Sequence, residues 1–177
     1  MAKKLLPFLT GLFLFFGIVF AVNSSQAGDA EEILNLKNKI IQKQNKGTLG
    51  VQEFLLCSKV LNYASFYPLA ENTIKQGTKL LLYYEPLNWF TSIRDGRYEF
   101  YLTQDVILET AAGEVLFDRD SLLSMHYNTG KPILDIYMTN DFNLGNLPPG
   151  KYRYIIVLHD QISGQEYKKG IDFELVD

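Results

Sequence analysis

The sequence contains few of the residues from which covalent and catalytic sites are built. Among its 177 residues are one cysteine, one tryptophan and two histidines. The single cysteine, Cys57, excludes an intramolecular disulfide, so an apolar core must stabilise the fold. Its apolar setting between Phe54 and Val60 predicts a buried thiol rather than a reactive one. Because it lies far from the N-terminal segment, this cysteine also excludes a lipoprotein anchor.

Positive charge is neither abundant nor clustered. The chain has 17 basic and 20 acidic residues, which give a formal net charge of −3. No basic stripe runs through the sequence, although such a stripe is the usual signature of nucleic-acid binding. We therefore expect no nucleic acid among the partners.

Familiar catalytic and metal-binding motifs are also missing. The sequence has no GxSxG, HExxH or CxxC motif and no phosphate loop. Neither His126 nor His159 has a nucleophile or a second metal ligand beside it. The run Asp118-Arg119-Asp120 lacks the glycine and distal glutamate of a calcium loop. We therefore predict no catalytic residue, no metal and no cofactor; a hydrolase ranks third among the functions considered.

The N-terminus has the pattern of a secretory signal. Lys3-Lys4 precedes an apolar stretch from Leu5 to Val22, and the small residues Ser25 and Ala27 follow. These features predict a signal peptide over residues 1–27 and a periplasmic or extracellular location. The alternative is an uncleaved anchor, because 18 apolar residues approach the length of a membrane span. Contact with the membrane is expected only through this segment.

Residues 28–47 predict a short amphipathic helix. Asp29 is a candidate N-cap with Glu32 three residues later, and Gly47 follows the last periodic residue. The opposite face is polar, and the apolar stripe consists of Ile33, Leu36 and Ile40. We expect this helix to pack on the following domain or to act as a spacer.

From residue 51 to residue 177 the pattern is that of short strands separated by turn signals. Arg97–Thr110 alternates between apolar and polar residues, although Gln104 interrupts the apolar set and suggests a bulge. Pro148-Pro149-Gly150 turns the chain sharply into an apolar run that begins at Tyr152. Such a tyrosine matches the tyrosine corner of immunoglobulin-like domains. We predict an all-β, immunoglobulin-like antiparallel β-sandwich of seven or eight strands.

The run from Tyr152 to Leu158 is apolar on both alternation phases, apart from Arg153. If Tyr152 forms the corner, Ile155 and Val157 point to the far side of the sheet. A solvated face is normally polar, so something is expected to cover these two residues. The candidates are the apolar stripe of the helix and a partner protein, and Ile155 and Val157 are therefore candidate partner-binding residues.

An aromatic cluster lies at residues 83–90. It combines large rings with a carboxylate and an amide near a strand end, which suits carbohydrate or peptide binding. The alternative is that its rings fill the core, as the tryptophan of immunoglobulin domains does. The candidate ligand-binding residues are Tyr83, Glu85, Asn88 and Trp89.

The segments FLLCSKV, LLLYYEPLNWF, GRYEFYL, LPPGKYRYIIVLHDQISGQ and IDFEL together carry a resemblance over residues 51–176. They resemble exported bacterial immunoglobulin-like β-sandwich proteins whose function is uncharacterised. The resemblance implies a fold and an exported location, and it implies no reaction and no site residue.

These observations predict an exported, non-catalytic binding or assembly module of the bacterial cell envelope. Its partner is expected to be another envelope or extracellular protein. The alternative is a carbohydrate- or peptide-ligand-binding domain that uses the aromatic cluster at 83–90. An exposed row of rings would favour the ligand, and an exposed apolar strand face or edge would favour a protein partner.

Overall fold

A computed structural model describes residues 16–145 and 147–177. The chain divides into two compact units, residues 1–39 and residues 40–177. Residues 1–15 of the predicted signal peptide lie outside the described residues, and residues 16–27 have helical backbone. In the part of the chain that the structure describes, no helix is long and apolar enough to span a membrane.

The helix α1 runs from Phe16 to Gln44, so it begins earlier than the predicted cap at Asp29. In the first unit, Ile33 and Leu36 of the apolar stripe are about half exposed. The end of α1 belongs to the second unit, where the backbone N–H of Gly47 donates to the carbonyl of Gln44 at 2.9 Å. Residues 28–44 are helical as predicted, but they belong to a longer helix, and its end lies three residues before the predicted stop.

The last turn of α1 is anchored within the second unit. Ile41 is fully buried, and the Gln44 side-chain amide donates to the carbonyl of Trp89 at 3.0 Å. Asn45 makes two bonds with Thr91: its amide donates to the Thr91 carbonyl, and its side-chain oxygen accepts from the Thr91 N–H, both at 2.8 Å. The β domain therefore includes the end of the helix.

The described residues of the second unit form ten strands in two sheets, so the all-β prediction is confirmed. The four-stranded sheet has the order β2 (Ser65–Pro68), β1 (Gly50–Asn62), β4 (Lys79–Leu87) and β8 (Met138–Asn143). The six-stranded sheet has the order β3 (Thr73–Lys75), β10 (Glu166–Val176), β9 (Gly150–Asp160), β6 (Arg97–Thr110) and β5 (Ser92–Arg94), with β7 (Val115–Thr129) also paired to β6. The predicted count of seven or eight strands was too low, because β2, β3 and β5 are too short to show an alternating pattern.

The two sheets bury one shared core between them. Residues of one phase on each long strand point inward, as alternation requires. Phe142 of β8 contacts Tyr154 of β9 edge-on, with ring centroids 5.6 Å apart, and so connects the two sheets. The long strands contribute Leu80, Leu82, Tyr84, Phe100, Leu102, Val106, Leu108, Tyr152, Tyr154, Ile156 and Leu158.

The last two strands of the chain form a hairpin. β9 and β10 pair antiparallel from His159↔Glu166 to Gly150↔Leu175. The Tyr152 hydroxyl donates to the carbonyl of Pro148 at 2.6 Å, which is the backward bond expected of a tyrosine corner. At its other edge β10 pairs with β3 in parallel, so the sheet is not wholly antiparallel.

Candidate functional site

The strand β7 is a long sheet edge. It forms a hairpin with β6, closed by two bonds: Thr110 N–H to the Glu114 carbonyl at 2.9 Å, and Glu114 N–H to the Thr110 hydroxyl at 3.2 Å. Its 15 residues pair with β6 alone among the described strands. One side of β7 therefore presents backbone donors and acceptors that no strand of the described chain uses.

The other edge strands are short. β2 has four residues and ends at Pro68, β3 has three, and β8 has six. Short edges and edge prolines are common means of preventing unwanted strand pairing. β7 departs from this rule, and it exposes 54% of Val115, 40% of Leu116 and 46% of Tyr127.

A bulge divides β7 into two segments. The register with β6 passes from Gln104↔Leu123 to Val106↔Arg119, so three residues of β7 lie opposite Asp105 alone. Ser121, at the centre of the bulge, has a φ of 49° and donates its N–H to Asp105 Oδ1 at 2.7 Å. The irregularity that Gln104 suggested is present, but it lies on β7, while β6 keeps a continuous register with β9.

A cleft of about 280 Å³ opens beside β7, where the edge of one sheet faces the edge of the other. On one side it is lined by Leu123, Ser124 and Met125 of β7. On the other it is lined by Tyr137 and the first residues of β8, Met138 and Thr139. Its walls combine strand backbone with thioether and aromatic side chains.

A buried polar network holds the strands on both sides of this cleft. The Tyr84 hydroxyl donates to Gln104 Oε1 at 2.5 Å, and the Gln104 amide donates to Asn140 Oδ1 at 3.0 Å. These three residues come from β4, β6 and β8, and Gln104 and Tyr84 pair with the cleft residues Leu123 and Met138. Burial raises the pKa of Tyr84 well above its usual value, so its hydroxyl stays protonated and neutral.

Two histidine–carboxylate pairs lie on the outer face of the six-stranded sheet. His159 Nε2 is 2.6 Å from Asp105 Oδ2, and its Nδ1 is 3.5 Å from Glu166. His126 Nε2 is 2.9 Å from Glu99, and its ring stacks on Tyr101. No group of three or more metal-ligating side chains occurs among the described residues. Asp105 supports the bulge of β7, so the His159 pair has a structural role beside the edge.

Asp160, which follows His159 in the sequence, is buried. Its side chain is 1% exposed and accepts from the backbone N–H groups of Phe90, Ile162 and Ser163 at 2.6, 3.0 and 3.0 Å. A buried carboxylate with three donors is fully satisfied. Asp160 therefore connects the β9–β10 turn to the loop that holds α1.

The four candidate ligand-binding residues are divided between two places. Tyr83 and Glu85 lie on the outer face of the four-stranded sheet, where the Tyr83 hydroxyl donates to Glu85 at 2.6 Å. Trp89 is 2% exposed, belongs to the core and contacts the ring of Phe100. Asn88 is partly exposed, and its amide donates to the carbonyl of Thr48 at 3.0 Å. Three of the four are buried: Tyr83, Glu85 and Trp89.

The candidate partner-binding residues Ile155 and Val157 lie on the outer face of β9. Ile155 and Val157 are 5% and 8% exposed. Ile40, the residue of the helix's apolar stripe that lies in the second unit, is 50% exposed. Across the sheet they pair with Ile107 and Asp105 of β6. The Arg153 guanidinium lies over Gly170, whose missing side chain leaves the space for it beside Ile155.

The sequence pattern does not indicate that β7 is one continuous edge strand. Val115–Asp118 has the pattern of a strand, and Ser121–Tyr127 fits either a strand or a helical turn. The adjacent apolar pair Leu122-Leu123 breaks the alternation, because the bulge shifts the phase at that point. A change of the apolar–polar alternation partway along the strand is the sequence feature that could have identified β7.

Comparison with known proteins adds little to this geometry. No family model matches the chain, and a search of curated proteins found no similar one. Among solved structures, a match covers 78% of this chain and 36% of the other at 11% identity, with a TM-score of 0.39. The matched structure is the Pseudomonas fluorescens alkylpurine DNA glycosylase AlkC bound to DNA containing an abasic site analog. At that TM-score the likeness carries no argument about the activity of this chain.

Two expectations drawn from the sequence disagree with this finding and are withdrawn, and the finding assigns no function in their place. One is the function as an envelope binding or assembly module or as a ligand-binding domain, with an envelope or extracellular partner; the location is a separate expectation that no finding tests. The other is the exclusion of nucleic acid, since the matched protein binds DNA. The exclusion rested on the absence of a basic stripe along the sequence, whereas binding depends on charges that the fold brings together on a surface. Neither expectation is retained.

Proposed function

We propose that the β domain binds an extended polypeptide segment by adding it as a strand along the free edge of β7. The observation that carries this proposal is the 15-residue edge, paired on one side only, beside the cleft between the two sheets. Strand addition uses main-chain hydrogen bonds for affinity and side-chain pockets for specificity. β7 supplies the main-chain hydrogen bonds, and the cleft supplies the side-chain pockets.

Backbone bonds alone do not account for useful affinity. A segment of about six residues forms roughly six such bonds, each contributing about 0.5–1.5 kcal/mol. Association costs about 4–15 kcal/mol in lost freedom, so the two sums nearly cancel. Side chains of the added strand must therefore enter the cleft, where Leu123, Met125 and Met138 offer apolar contact. The flexible methionine side chain adapts to ligand side chains of different shape. This suits a site that recognises mainly the main chain of its ligand.

The bulge limits where a strand can add. Pairing is interrupted at Ser121, so a partner strand follows either Val115–Asp120 or Leu122–Thr129 without a break. The second segment adjoins the cleft, and three of its residues line it. The binding register is therefore expected to centre on Leu123–Met125.

The test uses a capped peptide of alternating valine and threonine with a terminal lysine for solubility. Hydrogen exchange of the β7 amides is measured with and without this peptide. We expect slower exchange at outward-facing amides between Leu122 and Thr129. The same peptide N-methylated at alternate residues, which cannot form the ladder, should give no protection.

Matched substitutions locate the site on the strand. Leu123→Lys places a charge in the cleft and should abolish the protection. Leu116→Lys makes the same change at an exposed position of the same strand and should leave it unchanged. Equal protection by the N-methylated peptide, or protection of β7 by a DNA duplex in place of a peptide, contradicts strand addition.

We also infer an immunoglobulin-like arrangement of the two sheets. It is supported by the two sheets facing one core and by the bond from the Tyr152 hydroxyl to the Pro148 carbonyl. Export directed by residues 1–27 and the absence of enzymatic activity are inferred with it from the sequence pattern.

A further inference from the structure

A row of four aromatic rings covers part of the outer face of the four-stranded sheet. Tyr63 lies in the turn between β1 and β2, and Tyr137 lies just before β8. Their ring centroids are 6.4 Å apart with planes inclined at 50°. The row continues inward, since Tyr137 stacks on Tyr83 at 5.6 Å and Tyr83 contacts Phe66 at 4.3 Å.

The inner end of the row is fixed by hydrogen bonds. The Tyr83 hydroxyl donates to Glu85 Oε1 at 2.6 Å and accepts from the backbone N–H of Ala64 at 2.9 Å. The other oxygen of Glu85 accepts from the Gln52 amide at 2.8 Å. Ala64 has a left-handed φ of 52°, and its bond to Tyr83 ties the turn that carries Tyr63 to the sheet.

The outer end of the row is open and lies beside negative charge. Tyr63 is 41% exposed and Asp135 is exposed, while Tyr83 is fully buried. Burial raises the pKa of Tyr63, and the charges of Asp135 and Glu85 raise it further. Among the ion pairs of the described residues, none joins a lysine or arginine to either of these carboxylates. The exposed ring of Tyr63 and the partly exposed ring of Tyr137 thus lie beside two carboxylates that no lysine or arginine of the described residues pairs with directly.

We propose that Tyr63 and Tyr137, with Asp135 at the rim, form a binding site for a quaternary ammonium group. A cation is attracted to an aromatic face when it lies within about 6 Å of the ring centroid. The two inclined rings contact each other, with centroids 6.4 Å apart, so a group that lies over their open side can be within that distance of both. The oxygens of Glu85 already accept hydrogen bonds from Tyr83 and Gln52. Glu85 therefore acts through its charge, which suits a cation without N–H groups.

This site is independent of strand addition to β7, although Tyr137 also lines the cleft. Substitutions at Tyr63 and Asp135 leave the cleft residues intact. Failure of the ammonium site and failure of the proposed function are therefore separate results.

The test is a titration with tetramethylammonium chloride at constant ionic strength, followed by NMR of the tyrosine ring protons. Neopentyl alcohol, a neutral molecule of similar shape, is titrated in parallel. We expect saturable shifts of Tyr63 and Tyr137 with the cation, and binding of the alcohol about two- to five-fold weaker. Tyr63→Phe should retain the preference for the cation, and Tyr63→Leu and Asp135→Asn should each reduce it.

Tyr67→Leu is the matched control, since Tyr67 is a 56% exposed tyrosine of the adjacent strand β2. It should leave the titration unchanged. Equal affinity for the alcohol, no saturable shift, or unchanged binding in Tyr63→Leu each overturns the ammonium site.

Discussion

Tyr152 and Tyr154 are alternate residues of one strand with opposite hydrogen-bonding states. Both phenol rings point into the core, and they are 6% and 0% exposed. The Tyr152 hydroxyl donates to the Pro148 carbonyl, whereas the Tyr154 hydroxyl is buried without a partner among the described residues. Burial raises the pKa of Tyr154, which therefore stays neutral. Removal of each hydroxyl should have a different consequence for the free energy of unfolding.

Tyr152→Phe should lower the free energy of unfolding by roughly 0.5–1.5 kcal/mol, because it removes a hydrogen bond and leaves the Pro148 carbonyl unpaired. Tyr154→Phe is the matched control and should be neutral or stabilising, since it removes an unpaired buried hydroxyl. Urea denaturation of the two variants measures the difference. Equal losses would show that the corner bond contributes nothing.

The sequence predicted residue roles best where one local pattern determines them. Tyr152 follows a Pro-Pro-Gly turn, and Cys57 lies in an apolar strand, where it is 4% exposed with a pKa that burial raises. Roles set by distant contacts were not predictable. Gln104 bonds across the core to Tyr84 and Asn140, and neither partner is near it in sequence. The pairing of Tyr63 with Tyr137 joins residues 74 positions apart for the same reason.

At the scale of elements, the end of α1 belongs to the β domain. The sequence separates helix from strands at Gly47, because the period of the pattern changes there. In the structure Ile41 is fully buried and Asn45 bonds to Thr91, so the second unit begins at Ile40. Periodicity identifies an element and its apolar face, but it does not show which end of that element is anchored.

A chain that begins at Ile40 should unfold at the same urea midpoint as one that begins at Gly28. A chain that begins at Thr48 should lose about 2–4 kcal/mol, because it lacks the buried Ile41 and the bonds of Gln44 and Asn45. The substitution Asn45→Ala in the chain that begins at Gly28 measures the contribution of the Asn45 hydrogen bonds separately from that of the buried Ile41 side chain. Equal midpoints for all three chains would show that the helix end does not stabilise the sheets.

At the scale of the whole molecule, the sequence predicted the all-β class and the corner at Tyr152 but not the edges. The long strands β6, β9 and β10 have alternating or continuous apolar patterns that a central position imposes. Edge strands have no such pattern, because solvent tolerates either phase. The proposed site lies along an edge and was therefore missed.

The signal peptide predicted over residues 1–27 is tested on the chain produced in its own cell type. Cleavage after Ala27 predicts an intact mass that corresponds to a chain beginning at Gly28. Ala27→Arg, which removes the small residue before the cut, should leave the precursor uncut. Recovery of the chain with Met1 still attached would contradict export by cleavage.

The paired bonds between Asn45 and Thr91 also determine how the β domain would carry mechanical tension. Thr91 lies in the loop after β4, and the neighbouring Phe90 N–H is bound by Asp160 at the end of β9. A pull on the chain ahead of Ile40 would reach this loop before it reached β1. The force would then divide between β4 of one sheet and β9 of the other. The hydrogen bonds between β1 and its neighbouring strands would then not break one after another from the end of the strand. The end of the helix would therefore protect β1 from the applied force.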